Sequence, residues 1–119
     1  LSSSSAASDV YKRQNGVKVI SGRFDALDPE GLRDLADKIR NKLDTGVVIL
    51  ASSFGGKAAV TAMATKKAVE KGIHCGNIVK KAAAVCGGGG GGRPDMAQAG
   101  GKQPEKIEEM LSKVEDFLF

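Results

Sequence analysis

The stretch GVVILASSF (Gly46–Phe54) is an unbroken, mostly apolar run of strand length. Such a run fits a buried strand. Gly55 and Gly56 follow it directly as a turn signal, and KAAVTAMAT then reads as the returning strand of a hairpin. The Ala-rich second arm also matches a helix, because short apolar runs do not separate the two. On the hairpin reading, a sheet lies at the centre of the fold.

The flanking segments supply helices to cover that sheet. VKVISGRFDAL (Val17–Leu27) is rich in β-branched residues and reads as a first strand. In DPEGLRDLADKIRNKL, Asp28 suits an N-cap and Pro29 the first helical position. Leu32, Leu35, Ala36, Ile39 and Leu43 then form one apolar stripe. KKAVEKG reads as a polar excursion of one helical turn. NIVKKAAAVCG is a helix with Ile78, Val79, Ala82, Val85 and Cys86 on one side, and Gly87 supplies its stop. DMAQAGGK reads as a short edge strand. QPEKIEEMLSKVEDFLF is a closing helix with Pro104 and Glu105 in its first turn. Its stripe consists of Ile107, Met110, Leu111, Val114, Phe117 and Leu118. The sum is an α/β domain: a small mixed sheet packed with about three helices.

The 119 residues suit one domain. Four Phe, one Tyr and no Trp mean that the core rests on aliphatic residues. The net charge of +4 is compatible with a polyanionic partner without demanding one. Residues 1–14, LSSSSAASDVYKRQ, show no periodicity that could bury a face. They are expected to be disordered and foreign to the protein, which leaves residues 15–119 as the domain. Cys75 and Cys86 read as reduced thiols of a cytosolic protein. With His74 as the single histidine, they make a poor tetrahedral metal set, and no metal site is expected. No apolar run approaches the ~20 residues that span a bilayer.

Catalytic motifs fail one by one. A phosphate-binding G-x-x-x-x-G-K-[ST] loop would need glycine where Ala51 stands and a hydroxyl where Ala58 follows Gly56–Lys57. Lys57 therefore reads as a solvated turn residue. Ser52 and Ser53 have no histidine to spare as a base, and His74 reads as a helix-start residue. The carboxylates fall on solvent faces of the first and last helices. No catalytic residue is assigned.

The run GGGGGGRPDMAQAGGK (Gly87–Lys102) is the remaining feature. A dinucleotide fingerprint follows a strand and opens a helix, whereas here a helix comes first and presents its negative pole. Three readings stay open: a flexible linker, a tight internal crossing of two chain segments, or a bare backbone surface with Arg93 at its end. The stretch CGGGGGGRPDMAQAGGK, with the helix NIVKKAAAVCGG before it and QPEKIEEML after it, resembles the glycine-rich signature of the DHH-associated (DHHA) domain of alanyl-tRNA synthetases. The likeness extends over roughly residues 15–119 and includes the central GVVILASSFGGKAAVTAMATK pair.

That resemblance implies the C-terminal domain of a cytoplasmic alanine–tRNA ligase, a part expected to be inactive on its own. The ligase would use ATP, magnesium and zinc through domains with no counterpart in this sequence, so no cofactor is expected here. The domain would grip the elbow of alanine tRNA, support charging and editing, and contribute to self-association. The residues implied for RNA contact are Gly88, Gly89, Gly90, Gly91, Gly92, Arg93, Gln98 and Lys102. The same domain type also accompanies DHH phosphoesterases and nucleases, where it helps hold a phosphorylated substrate. A substrate-holding domain of such an enzyme is the alternative reading.

Overall fold

The computed structural model describes residues 10–14, 17–25 and 27–113. Strand β1 (Val10–Gln14) pairs antiparallel with β2 (Val17–Asp25). Helix α1 (Pro29–Arg40) then crosses to β3 (Gly46–Phe54), which lies parallel to β2. A hairpin leads into β4 (Lys57–Ala64), followed by the short α2 (Lys66–Glu70) and by α3 (Cys75–Val85). Strands β5 (Gly89–Gly92) and β6 (Met96–Gly101) come next, and α4 (Ile107–Ser112) follows one 3-10 turn at Pro104–Lys106. The six strands are ordered β1-β2-β3-β4-β6-β5.

Local chemistry explains most of these boundaries. Asp28 Oδ1 accepts a 2.8 Å hydrogen bond from the Gly31 amide, and Pro29 takes the first helical position, so α1 starts where its cap dictates. Gly55 and Gly56 have φ of 60° and 77°. Two successive positive φ values are what a two-residue hairpin turn of the primed type requires, and they fix the Phe54–Lys57 register. Thr65 caps α2 by accepting from the Ala68 amide.

The sheet is sandwiched. Val47, Ile49 and Ala51 of β3 face a core shared with α3 and α4 through Ile78, Val79, Ala82, Ile107 and Met110. Val48 and Leu50 face a second core with Leu32 and Ala36 of α1. Both faces of β3 are covered, so the strand has no polar alternation to display. Ser52 is buried, and its hydroxyl accepts from the Leu27 amide and donates to the Leu27 carbonyl oxygen at 2.7 Å. It ties the approach to α1 onto the sheet.

The structure corrects the sequence reading in several places. Residues 10–14 were expected to lack structure, yet their backbone pairs with β2 from Val10↔Ser21 to Gln14↔Val17; residues 1–9 lie outside the described residues. Helix α3 begins at Cys75, two residues before Asn77, because His74 caps it. Segment 66–70 forms a helix of its own and brings the number among the described residues to four. The closing segment opens as a 3-10 turn and is α-helical over Ile107–Ser112, while Val114, Phe117 and Leu118 lie outside the described residues. Most consequentially, β6 is an interior strand flanked by β4 and β5, and the edge belongs to the glycines.

A candidate nucleic-acid interface on the glycine edge strand

The six glycines divide into two tasks. Gly87 and Gly88 close α3. Gly87 has φ 75°, its amide donates to the Ala84 carbonyl oxygen, and the Gly88 amide donates to the Ala83 carbonyl oxygen at 2.8 Å. This double bond pattern satisfies the last helical carbonyls through a left-handed residue that glycine adopts freely. Gly89–Gly92 then run antiparallel to β6, with Gly89 opposite Gly100 and Gly92 opposite Ala97.

Alternation along this strand separates packing glycines from bare ones. A Cβ on Gly90 would collide with Ala99, and one on Gly92 would lie 2.7 Å from the Ala97 Cβ. Ala97 belongs to the core beneath α3. Gly76, in the first turn of α3, is tight as well: its Cβ would meet the Gly92 carbonyl oxygen at 2.5 Å. Side chains are therefore excluded where β5, β6 and α3 meet. At Gly89 and Gly91 an added Cβ would meet nothing within 4 Å. Those two positions present bare backbone to open space on the α1 side of the sheet.

The eight residues singled out from sequence fall along this one edge, though in different capacities. Gly88 belongs to the helix stop, and Gly90 and Gly92 face inward. Gln98 stands opposite Gly91, half-buried, and its Nε2 donates at 3.5 Å to the Pro29 carbonyl oxygen. Arg93 is at the far end of the strand with its side chain 71% exposed and its Nε 3.6 Å from Asp95 Oδ1. It also lines a cleft of about 280 Å³ with Arg33, Asp34, Asp37, Arg40 and Met96. Lys102 is exposed at the opposite end, in a second cleft of about 230 Å³ with Gly87, Gly88 and Lys57. Cations thus bracket a strand about 10 Å long, at ~3.3 Å per residue. Lys57 was missed as a partner of Lys102; the clue was the strand register, which sets Ala58 against Gly101.

Arg93 is also structural. Its backbone amide donates to the Met96 carbonyl oxygen, and its own carbonyl accepts from the Gly76 amide at 3.2 Å. The Pro94 carbonyl accepts from the Cys75 amide at 2.9 Å. The turn leaving the glycine strand therefore holds the first amides of α3, which a helix cannot bond internally. His74 completes the cap, with Nδ1 accepting from the Asn77 amide at 3.2 Å. His74 is the helix-start residue that the sequence suggests.

Among the described residues no group of three or more His, Cys, Asp or Glu comes together that could hold a metal ion. The thiols are quiet. Burial foremost, then the charge of Asp95, pushes Cys75 up to about 12, and burial also raises Cys86, aided by Glu105 and Glu109. A protonated thiol is a poor nucleophile. At pH 8.5, iodoacetamide is expected to label Cys75 in the native domain far more slowly than in urea. Mass spectrometry showing equal rates would contradict this burial.

This geometry has relatives. The chain belongs to the DHHA1 domain family, which matches residues 16–118. Within that family it is similar to the alanine–tRNA ligases. It is 58% identical over 113 residues to the alanine–tRNA ligase of Acetivibrio thermocellus, covering 92% of this chain and 13% of that protein. It is 50% identical over 107 residues to that of Bacillus subtilis, covering 90% of this chain and 12% of that protein. The crystal structure of the C-Ala domain from Aquifex aeolicus alanyl-tRNA synthetase matches with a TM-score of 0.83 at 32% identity, over 92% of this chain and 97% of that one. The chain spans about an eighth of the length of the ligases it matches. The resemblance read from the glycine signature and the α/β fold class are both borne out. No helix among the described residues is long and apolar enough to cross a membrane.

Proposed function

We propose that this chain is the RNA-gripping C-terminal module of a cytoplasmic alanine–tRNA ligase, and that it holds the elbow of alanine tRNA through the outward face of β5. The observation that carries the reading is the bare surface at Gly89 and Gly91, bracketed by Arg93 and Lys102. RNA helices are recognised by shape and through phosphates and 2′-hydroxyls, and an elbow adds a flat outermost base pair. A backbone without side chains can approach such a surface closely, while the flanking cations reach phosphates on either side. Stacking of single bases on aromatic platforms is a poor fit, because Phe54 is the one large exposed hydrophobic among the described residues. Gln98 is placed to approach the same face opposite Gly91.

Activation of alanine with ATP and magnesium, and editing with zinc, would belong to the rest of such a ligase. The matched relatives favour this reading over a substrate-holding half of a DHH phosphoesterase. Titration of the domain with alanine tRNA, and with the same tRNA carrying a disrupted elbow, tests it at two salt concentrations. Tighter, salt-sensitive binding to the intact elbow is expected. Arg93→Ala should weaken that binding by about 1–2 kcal/mol, the usual worth of a charged hydrogen bond. Equal affinity for both RNAs would sink the elbow assignment.

A further inference from the structure

Charge is unevenly distributed along this chain, and the fold concentrates the imbalance. Residues 45–94 carry seven basic side chains (Lys57, Lys66, Lys67, Lys71, Lys80, Lys81 and Arg93) and one acidic, Glu70. The remaining 69 residues hold eleven basic and thirteen acidic groups, so the net charge of +4 comes entirely from this middle segment. Several cations meet carboxylates: Arg23 pairs with Asp25 and Glu108, Arg40 with Asp37, Arg93 with Asp95, and Lys106 and Lys113 with Glu109. Lys67 is matched by Asp44 across 3.0 Å. Lys66, Lys71, Lys80 and Lys81 are exposed and have no carboxylate partner among the described residues.

Helix α3 brings this charge to the glycine strand. Its buried side consists of Cys75, Ile78, Val79, Ala82 and Cys86. Its flank against β5 is marked by Gly76, closed against the Gly92 carbonyl, and by Ala83, which is fully buried yet belongs to neither hydrophobic core. Lys80 lies four residues after Gly76 and three before Ala83, so it belongs to the same helical ridge and stands beside the strand. Lys81 carries the charge onto the outer face, between Asn77 and Ala84, which are also exposed. The opposite layer is different: α1 carries Asp34 and Asp37 among its basic residues.

We propose that the Lys80–Lys81 face of α3 is a phosphate-binding track contiguous with the edge of β5. The RNA backbone then passes along the α3 side of the domain while β5 meets the elbow. The occupant is the sugar-phosphate backbone of duplex RNA, whose dense negative charge complements unpaired lysines and releases counterions on binding. This inference rests on the RNA-binding reading above, but its test is separable from the elbow.

The probes are a plain RNA duplex of about two turns without an elbow, and alanine tRNA. Binding to each is measured across a salt series for the wild-type domain, for Lys80→Ala/Lys81→Ala, and for Lys38→Ala/Lys42→Ala on the α1 layer. Circular dichroism confirms that each variant is folded. For the duplex, the α3 double variant is expected to bind about tenfold more weakly, and its slope of log affinity against log salt should be shallower by about two. The α1 double variant should change neither quantity appreciably. Unchanged binding in the α3 variant, or equal losses in both variants, would overturn the track. A domain that binds duplex through Lys80 and Lys81 yet gives tRNA no preference keeps the track and overturns the elbow reading. Preference for tRNA with indifference to the α3 variant does the reverse, and no binding to either RNA overturns both.

Discussion

Alanine at Gly88 should destabilise the domain by about 3 kcal/mol, whereas alanine at Gly91 should leave stability within about 0.5 kcal/mol of the original. The contrast comes from where each Cβ would point. At Gly88 it would enter the space of the Gly100 carbonyl oxygen and the Gly101 Cα, which are backbone atoms of an interior strand. Relief would require shifting β6, and with it the Ala58↔Gly101 pairing to β4. At Gly91 the same methyl meets open space. Thermal unfolding separates the cases: a loss of ~3 kcal/mol lowers Tm by roughly 12 °C in a domain of this size. Gly91→Ala should instead register in RNA affinity, since the methyl roughens the bare face. A Gly88→Ala variant as stable as its parent would refute the close approach of the α3–β5 link to β6.

Truncating either of two neighbouring residues in β3 should be nearly as costly. Ile49 and Leu50 are both fully buried, but they point into different cores. Ile49→Ala should cost about 3 kcal/mol by opening a cavity beneath α3 and α4, and Leu50→Ala about the same beneath α1. Urea denaturation at constant m-value measures both. The pair is informative because a sheet covered on one face only would show one large and one small effect. If Leu50→Ala costs under about 1 kcal/mol, α1 is not packed on the sheet as described.

Much of this architecture was legible because the responsible signals are local. Asp28–Pro29 announces the start of α1 with a cap and a ring, and Gly55–Gly56 sets the hairpin register through two positive φ values. The Gly46–Phe54 run matches β3 because burial on both faces removes any need for alternation. What escaped depends on partners distant in sequence. A strand is recognised by the side chains it packs, and Gly89–Gly92 have none; only pairing with β6 makes them a strand. For the same reason β6 read as an edge, since nothing in its own residues reveals the glycines beyond it. Val10–Gln14 is ordered by β2 rather than by its own pattern. The eight residues implied for RNA contact lie near one edge of the sheet, and the division into inward and outward glycines required the fold. The lysines of α3 sit in a plain amphipathic pattern, and that they form no ion pair among the described residues is a property of three-dimensional packing.

Strand β5 sends no side chain into either core, and this affects how it behaves as well as what it can touch. Fixing each of its residues costs about 1–2 kcal/mol of backbone entropy, more for glycine than for others. The return is one row of ladder hydrogen bonds and a close fit under α3. Local opening is easiest where few apolar contacts resist it. The glycine strand therefore opens more readily than β2, β3, β4 and β6, which are held by side chains in the two cores. A partner lying across it would supply the contacts its own sequence withholds.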